Sequence, residues 1–168
     1  MIKSTDLLKE VEEQKYTVYC DMDGVLVDFD KGYKDLTGIT SKEADAKGPE
    51  FFWEPIKQEG AKYWIKLKWM PDGKQLWDYI KKYNPSLLSA PSREESSKLG
   101  KRIWVKNNLP NVKLHLKPAS QKSQFSGKNK ILIDDRESNI EQWREKGGIG
   151  IFHTSASDTI KQLKELGL

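Results

Sequence analysis

The sequence predicts an α/β fold: a mainly parallel, five-stranded sheet flanked by helices, with a small helical cap inserted at about residues 38–70. Short β-branched and aliphatic runs alternate with segments of helical periodicity along the chain. Three runs end in polar residues, Asp21 with Asp23, Ser89, and Asp134 with Asp135. Parallel sheets bind their ligands beyond the carboxyl ends of their strands. Residues 38–70 break the alternation, and an insertion within one domain accounts for them better than a second domain.

Leu7, Leu8 and Val11 recur at helical spacing, so a covering helix is expected over residues 5–14. Thr17 to Cys20 form the first strand. Pro71 opens a helix whose inner face carries Leu76, Trp77, Ile80 and Tyr83, and Asn84-Pro85 ends it. SLLSA at 86–90 is the second strand. Ser92 and Glu95 have the spacing of a capping box, and a helix with Leu99, Ile103 and Trp104 follows. Alternation in Val112, Leu114 and Leu116 predicts the third strand. Residues 117–130 (KPASQKSQFSGKNK) are polar and read as a loop. Ile131 to Ile133 form the fourth strand. Ile140 and Trp143 mark a helix stopped by Gly147-Gly148. Ile149 to Phe152 form the fifth strand, and Ser155 with Asp158 caps a last helix that turns Ile160 and Leu163 inward.

Hydrophobic residues make up 36% of the 168 and charged ones 32%, a composition that excludes a disordered chain. No apolar stretch approaches the ~20 residues that span a bilayer, so no membrane partner is expected. The opening MIKSTDLLKEVEEQKY is charged throughout and lacks the apolar core of a signal peptide. The one cysteine, Cys20, cannot form an intramolecular disulfide, so a reducing, cytoplasmic location is expected, with Cys20 a small core residue. The net charge of +4 suits an anionic partner such as phosphate. The lysines are scattered, so a stable nucleic-acid interface is not expected.

Most of the chemistry lies in TVYCDMDGVLVD at 17–28. A strand ending in Asp21 and Asp23, with Gly24 allowing a tight turn, delivers two carboxylates to the mouth of a sheet. Two acids so close favour a shared divalent cation or a shared proton. A calcium loop is rejected by spacing. Counted from Asp21, Leu26 stands where the loop glycine belongs and Gly32 where the glutamate belongs.

Four places together resemble the haloacid dehalogenase superfamily of phosphotransferases: DMDGV at 21–25, Ser89 after Leu87-Leu88, Lys101 on the following helix, and Asp134-Asp135 after ILI. The resemblance covers nearly the whole chain, and its first and last motifs are the specific ones. Within the superfamily, DMDGVLVDF, LSAPS, GKRIWVKNNL and ILIDDR are similar to the 5′(3′)-deoxyribonucleotidase branch, phage-type proteins included, whose members dephosphorylate nucleoside monophosphates.

The resemblance implies a Rossmann-like fold and a Mg2+-dependent phosphomonoesterase. Asp21 would attack phosphorus and become an aspartyl-phosphate. Asp23 would protonate the leaving oxygen and later activate water. Asp21, the Asp23 backbone carbonyl and Asp134 would hold magnesium, with Asp135 completing the outer coordination or orienting a water. Ser89 and the backbone at Ala90 would bind phosphate oxygens, and Arg93 would reach the substrate phosphate. Lys101 would neutralise the nucleophile and the charge growing on phosphorus, with Lys98 as the alternative one turn earlier. Arg136 and Asn139 could support the acidic pair through hydrogen bonds.

Six aromatic residues crowd the insertion: Phe51, Phe52, Trp53, Tyr63, Trp64 and Trp69. Most are expected to form its small core. Tyr63 and Trp64 resemble the aromatic run that contacts the base in this branch. His115 and His153 read as structural residues rather than zinc ligands. Two rival readings remain at this point: a phosphatase for polynucleotide 3′-phosphate ends or small phosphorylated metabolites, and a non-catalytic module that binds nucleic acid or protein. Intact Asp21, Asp23 and Asp134 argue against the second. Oligomeric state is left open.

Overall fold

The computed structural model describes residues 14–168, so the helix expected over 5–14 lies, but for Gln14, outside the described residues. The expected sheet is present and is parallel throughout. Strands β1 (Thr17–Cys20), β2 (Ser86–Ser89), β3 (Leu114–Leu116), β4 (Lys130–Asp134) and β5 (Ile149–Phe152) lie in the order β3-β2-β1-β4-β5. The chain winds outward from β1 to β3, then returns to place β4 and β5 on the other side of β1. Cys20 stands in register with both Leu87 and Ile133, so Asp21 emerges between the ends of β2 and β4. That reversal of winding opens a crevice at the carboxyl edge.

The two-residue period of β1 sends Val18 and Cys20 to one face and Tyr19 to the other. The first face joins Leu87, Ile131, Ile133 and Ile151 to α5 (Gly73–Ile80), α6 (Glu95–Asn108) and α8 (Ala156–Glu165) through Leu76, Ile80, Trp104 and Leu163. The second packs Leu88 and Leu132 against Ile140 and Trp143 of α7 (Glu137–Glu145) and against Phe125. Burial on both faces explains why these strands read as continuous apolar runs rather than alternating ones.

Several boundaries differ from expectation. Pro71 stands just outside α5, whose N-cap is Asp72, and Val112 precedes β3. The capping box expected at Ser92 and Glu95 does not form: α6 begins at Glu95, and its N-cap Glu94 makes no capping hydrogen bond through its side chain. Instead Ser97 Oγ donates to the Glu94 carbonyl at 2.9 Å, and Ser92 lines a cleft. Ser155 does cap α8, accepting from Asp158 N at 3.1 Å. Residues 117–130 contain a 3-10 helix, Ala119–Phe125.

Between β1 and α5 run α1 (Phe29–Thr37), α2 (Ser41–Asp45), α3 (Pro49–Glu59) and α4 (Ala61–Lys66). Residues 38–70 thus hold α2, α3 and α4, and α1 stands between them and β1. Phe29 and Tyr33 of α1 stack on Phe52 of α3 at 6.1 and 4.7 Å, which ties these helices together. No described helix is long and apolar enough to cross a membrane.

Helix α4 rests on α6 at Gly100. A Cβ there would stand 2.4 Å from Trp64 Cβ and 2.8 Å from the Ala61 carbonyl oxygen. Gly100→Ala should therefore destabilise the protein by about 1–3 kcal/mol, measured by denaturant unfolding. An unchanged midpoint would mean that the two helices separate at little cost.

Candidate active site

Immediately after β1 the chain folds back on itself. The Met22 carbonyl accepts from the amides of Val25, Leu26 and Val27 at 3.1, 2.9 and 2.9 Å. Gly24 adopts φ +79°, and a Cβ on it would fall 2.0 Å from Asp135 Oδ2, so both the turn and the approach of Asp135 require glycine. Asp21 is thereby fixed at the sheet edge. Its Oδ1 accepts from Met22 N at 2.8 Å and pairs with Lys122 Nζ at 3.0 Å.

Asp134, fully buried at the end of β4, is held on every side. Lys122 Nζ donates to Oδ2 at 2.8 Å and Asn139 Nδ2 at 3.0 Å, while Arg136 N donates to Oδ1 at 2.9 Å. The expected support from residues 136 and 139 thus comes through a backbone amide and a side-chain amide. Asp21, Asp134 and Asp135 converge, each with a carboxylate oxygen within 4.8 Å of the others. Asp135 is pushed up to about 7 by lost hydration and by the charges of Asp21 and Asp134. Asp134 is also raised, by burial and by Asp21, with Lys122 opposing. Burial pulls Lys122 down, yet Asp21 and Asp134 outweigh it and leave its ammonium above the usual value. Negative charge in this cluster exceeds what one lysine offsets.

Lys122 was not singled out by the sequence. It is buried on the 3-10 helix, within a polar stretch where Lys117, Lys128 and Lys130 look the same. Only the path of the chain across the sheet edge distinguishes it. Lys101 also reaches the site but contacts Asp23, at 2.5 Å from Oδ2, and Ser89 Oγ, at 3.1 Å. The cation on Asp21 is Lys122. Lys98 pairs with Glu95 at 2.5 Å on the surface.

A cleft of about 550 Å³ opens over these groups. Asp21, Asp23, Asp135 and Lys122 line it together with Phe29, Phe52, Trp53 and Trp64. Ala90 lines it, whereas Ser89 is fully buried behind it with its hydroxyl on Lys101. Arg93 is exposed and outside the lining, and Arg136 is the arginine that borders the cleft. Trp64 lines it while only 3% exposed. Tyr63 does not line it: the side chain is buried, its hydroxyl donates to the Phe29 carbonyl at 3.2 Å, and burial with nearby Asp23 raises its pKa.

Cys20 is a free, buried thiol raised well above its usual value by burial and by Asp21 and Asp134, as a core residue would be. His153 is buried with Nδ1 2.7 Å from Thr159 Oγ1, and the His115 ring lies 4.7 Å from that of Phe125. Neither joins a metal-ligand cluster among the described residues.

No protein-family model and no curated protein sequence matches the chain. Solved structures do. A hydrolase from Streptococcus pneumoniae TIGR4 superposes with a TM-score of 0.56 at 16% identity, covering 89% of this chain and 99% of its own. A haloacid dehalogenase-like family hydrolase from Streptococcus pneumoniae gives 0.53 at 16%, covering 88% and 90%. A HAD-superfamily hydrolase of subfamily IA from Geobacter sulfurreducens gives 0.52 at 11%, covering 91% and 99%. At such identities the likeness is one of fold: the chain has the Rossmann-like fold of haloacid dehalogenase-type hydrolases.

Proposed function

We propose that the protein is a magnesium-dependent phosphomonoesterase that hydrolyses nucleoside monophosphates, deoxyribonucleotides above all, through an aspartyl-phosphate on Asp21. The observation that carries this reading is the state of Asp21. Its Oδ1 is fixed by Met22 N and Lys122, and no described residue donates to its Oδ2, which leaves a held carboxylate oxygen at the cleft. Oδ2 attacks phosphorus, the ester P–O bond breaks, and the proton of Asp23 passes to the leaving oxygen. A water then attacks the acyl-phosphate, returns its proton to Asp23 and frees phosphate with Asp21 restored.

Three converging carboxylates with unbalanced charge form the hard-oxygen donor set that suits Mg2+, and Asp21, Asp134 and Asp135 would hold it. When bound, magnesium supplies positive charge that offsets the repulsion between Asp21 and the substrate phosphate. Lys122 keeps Asp21 and Asp134 apart from one another's charge, and the aromatic walls offer flat faces to a base.

Phosphate release should be screened with magnesium across nucleotides, sugar phosphates and 3′-phosphorylated oligonucleotides. EDTA should abolish release and added magnesium restore it. Trp53, 40% exposed in the cleft wall, has the freer face for stacking. Stacking contributes about 1–3 kcal/mol per base, so Trp53→Ala should raise KM for nucleoside monophosphates about tenfold and leave a small aryl phosphate unaffected. Equal changes on both substrates would remove the base from the reading, and faster release from sugar phosphates would replace it.

A further inference from the structure

The Lys101 ammonium is buried, 2% exposed, yet it lies among three partners: Asp23 Oδ2 at 2.5 Å, Ser89 Oγ at 3.1 Å, and the Trp64 ring, whose centroid is 4.8 Å away. A lysine has three N–H donors, and here each has a group to face. None remains for a phosphate oxygen. Asp23 is in the opposite condition. Its Oδ1 is buried and without a partner, so the Lys101 bond is the one hydrogen bond its carboxylate makes among the described residues. Its carboxylate also stands apart from the three that converge beside it.

We propose that Lys101 is a positioning residue for Asp23: it anchors the acid–base carboxylate at a fixed orientation, apart from the metal-binding carboxylates, and touches neither phosphate nor nucleophile. The site then uses two buried lysines in separate roles, Lys122 on Asp21 and Asp134, and Lys101 on Asp23. Ser89 serves through this anchor: it is fully buried outside the cleft lining, and its hydroxyl accepts from Lys101. Trp64 covers the ammonium, so α4 is tied through it to the orientation of Asp23. This inference rests on the phosphatase reading.

The test is leaving-group dependence. General acid catalysis contributes about 10²–10⁴-fold and matters most for a poor leaving group. Lys101→Met should lower kcat on a nucleoside monophosphate about 10²-fold, and on p-nitrophenyl phosphate less than about fivefold, with KM for both little changed. Asp23→Asn should show the same asymmetry. Adding Lys101→Met to Asp23→Asn should cost nothing further on the nucleotide, because the acid it positions is already gone. The double variant also removes both charges, which keeps the comparison open if Lys101→Met alone folds poorly. Equal losses on both substrates, a raised KM, or additive losses in the double variant would overturn the proposal. A wild-type protein that releases phosphate from no phosphomonoester would instead overturn the phosphatase reading itself.

Discussion

Asp21→Asn should yield a folded protein that has lost phosphate release by roughly 10⁴-fold or more on every substrate, nucleotide or aryl phosphate alike. An amide oxygen is a poor nucleophile and cannot form the acyl-phosphate that divides the hydrolysis into two steps. Folding should survive. The substitution removes one charge from three crowded carboxylates, and Lys122 keeps Asp134 as a partner at 2.8 Å. Thermal unfolding in EDTA should therefore show a midpoint equal to or above that of the wild type. Acid-quenched wild-type enzyme should carry a hydroxylamine-sensitive phosphate, and the variant none. A variant that retains a tenth of the activity would move the nucleophile elsewhere and dissolve the mechanism.

Much of this arrangement is legible in the sequence because it is local or periodic. DMDG after TVYC places two acids on one turn, and ILIDD after a polar stretch places two more on a parallel strand. Short apolar runs located β1, β2, β4 and β5, which are largely buried, while alternation located the half-buried edge strand β3. What escaped depends on long-range approach. Lys122 lies on a short 3-10 helix without apolar periodicity, and its role arises only because that segment crosses the carboxyl edge above β1 and β4. Ser89 and Lys101 were assigned to phosphate and nucleophile by resemblance. They meet each other and Asp23 because α6 turns Ser97, Gly100, Lys101 and Trp104 inward, a partly polar face that hydrophobic patterning does not mark. Leu99, on the same helix, is 52% exposed for the same reason. Phe29 and Tyr33 of α1 join the aromatic stack around Phe52, contacts invisible to a one-dimensional reading.

Lys122→Met should be the most destabilising substitution at the site. Met retains the apolar stem and removes the ammonium, which leaves Asp21, Asp134 and Asp135 within 4.8 Å of one another with no cation between them. Breaking a buried pair from one side costs about 3–5 kcal/mol, which for a domain of this size lowers Tm by roughly 6–20 °C. That loss should be read in EDTA. With magnesium, Tm should rise further in the variant than in the wild type, because a cation held by the same carboxylates replaces part of the missing charge. Activity should not return with stability: Asp21 Oδ1 keeps only Met22 N, so the nucleophile is no longer held, and kcat should stay at least about tenfold down on both good and poor leaving groups. This lack of leaving-group dependence separates Lys122 from Lys101. A variant as stable as wild type in EDTA would show that the three carboxylates do not repel one another appreciably, and would remove the electrostatic reason for placing a divalent cation among them.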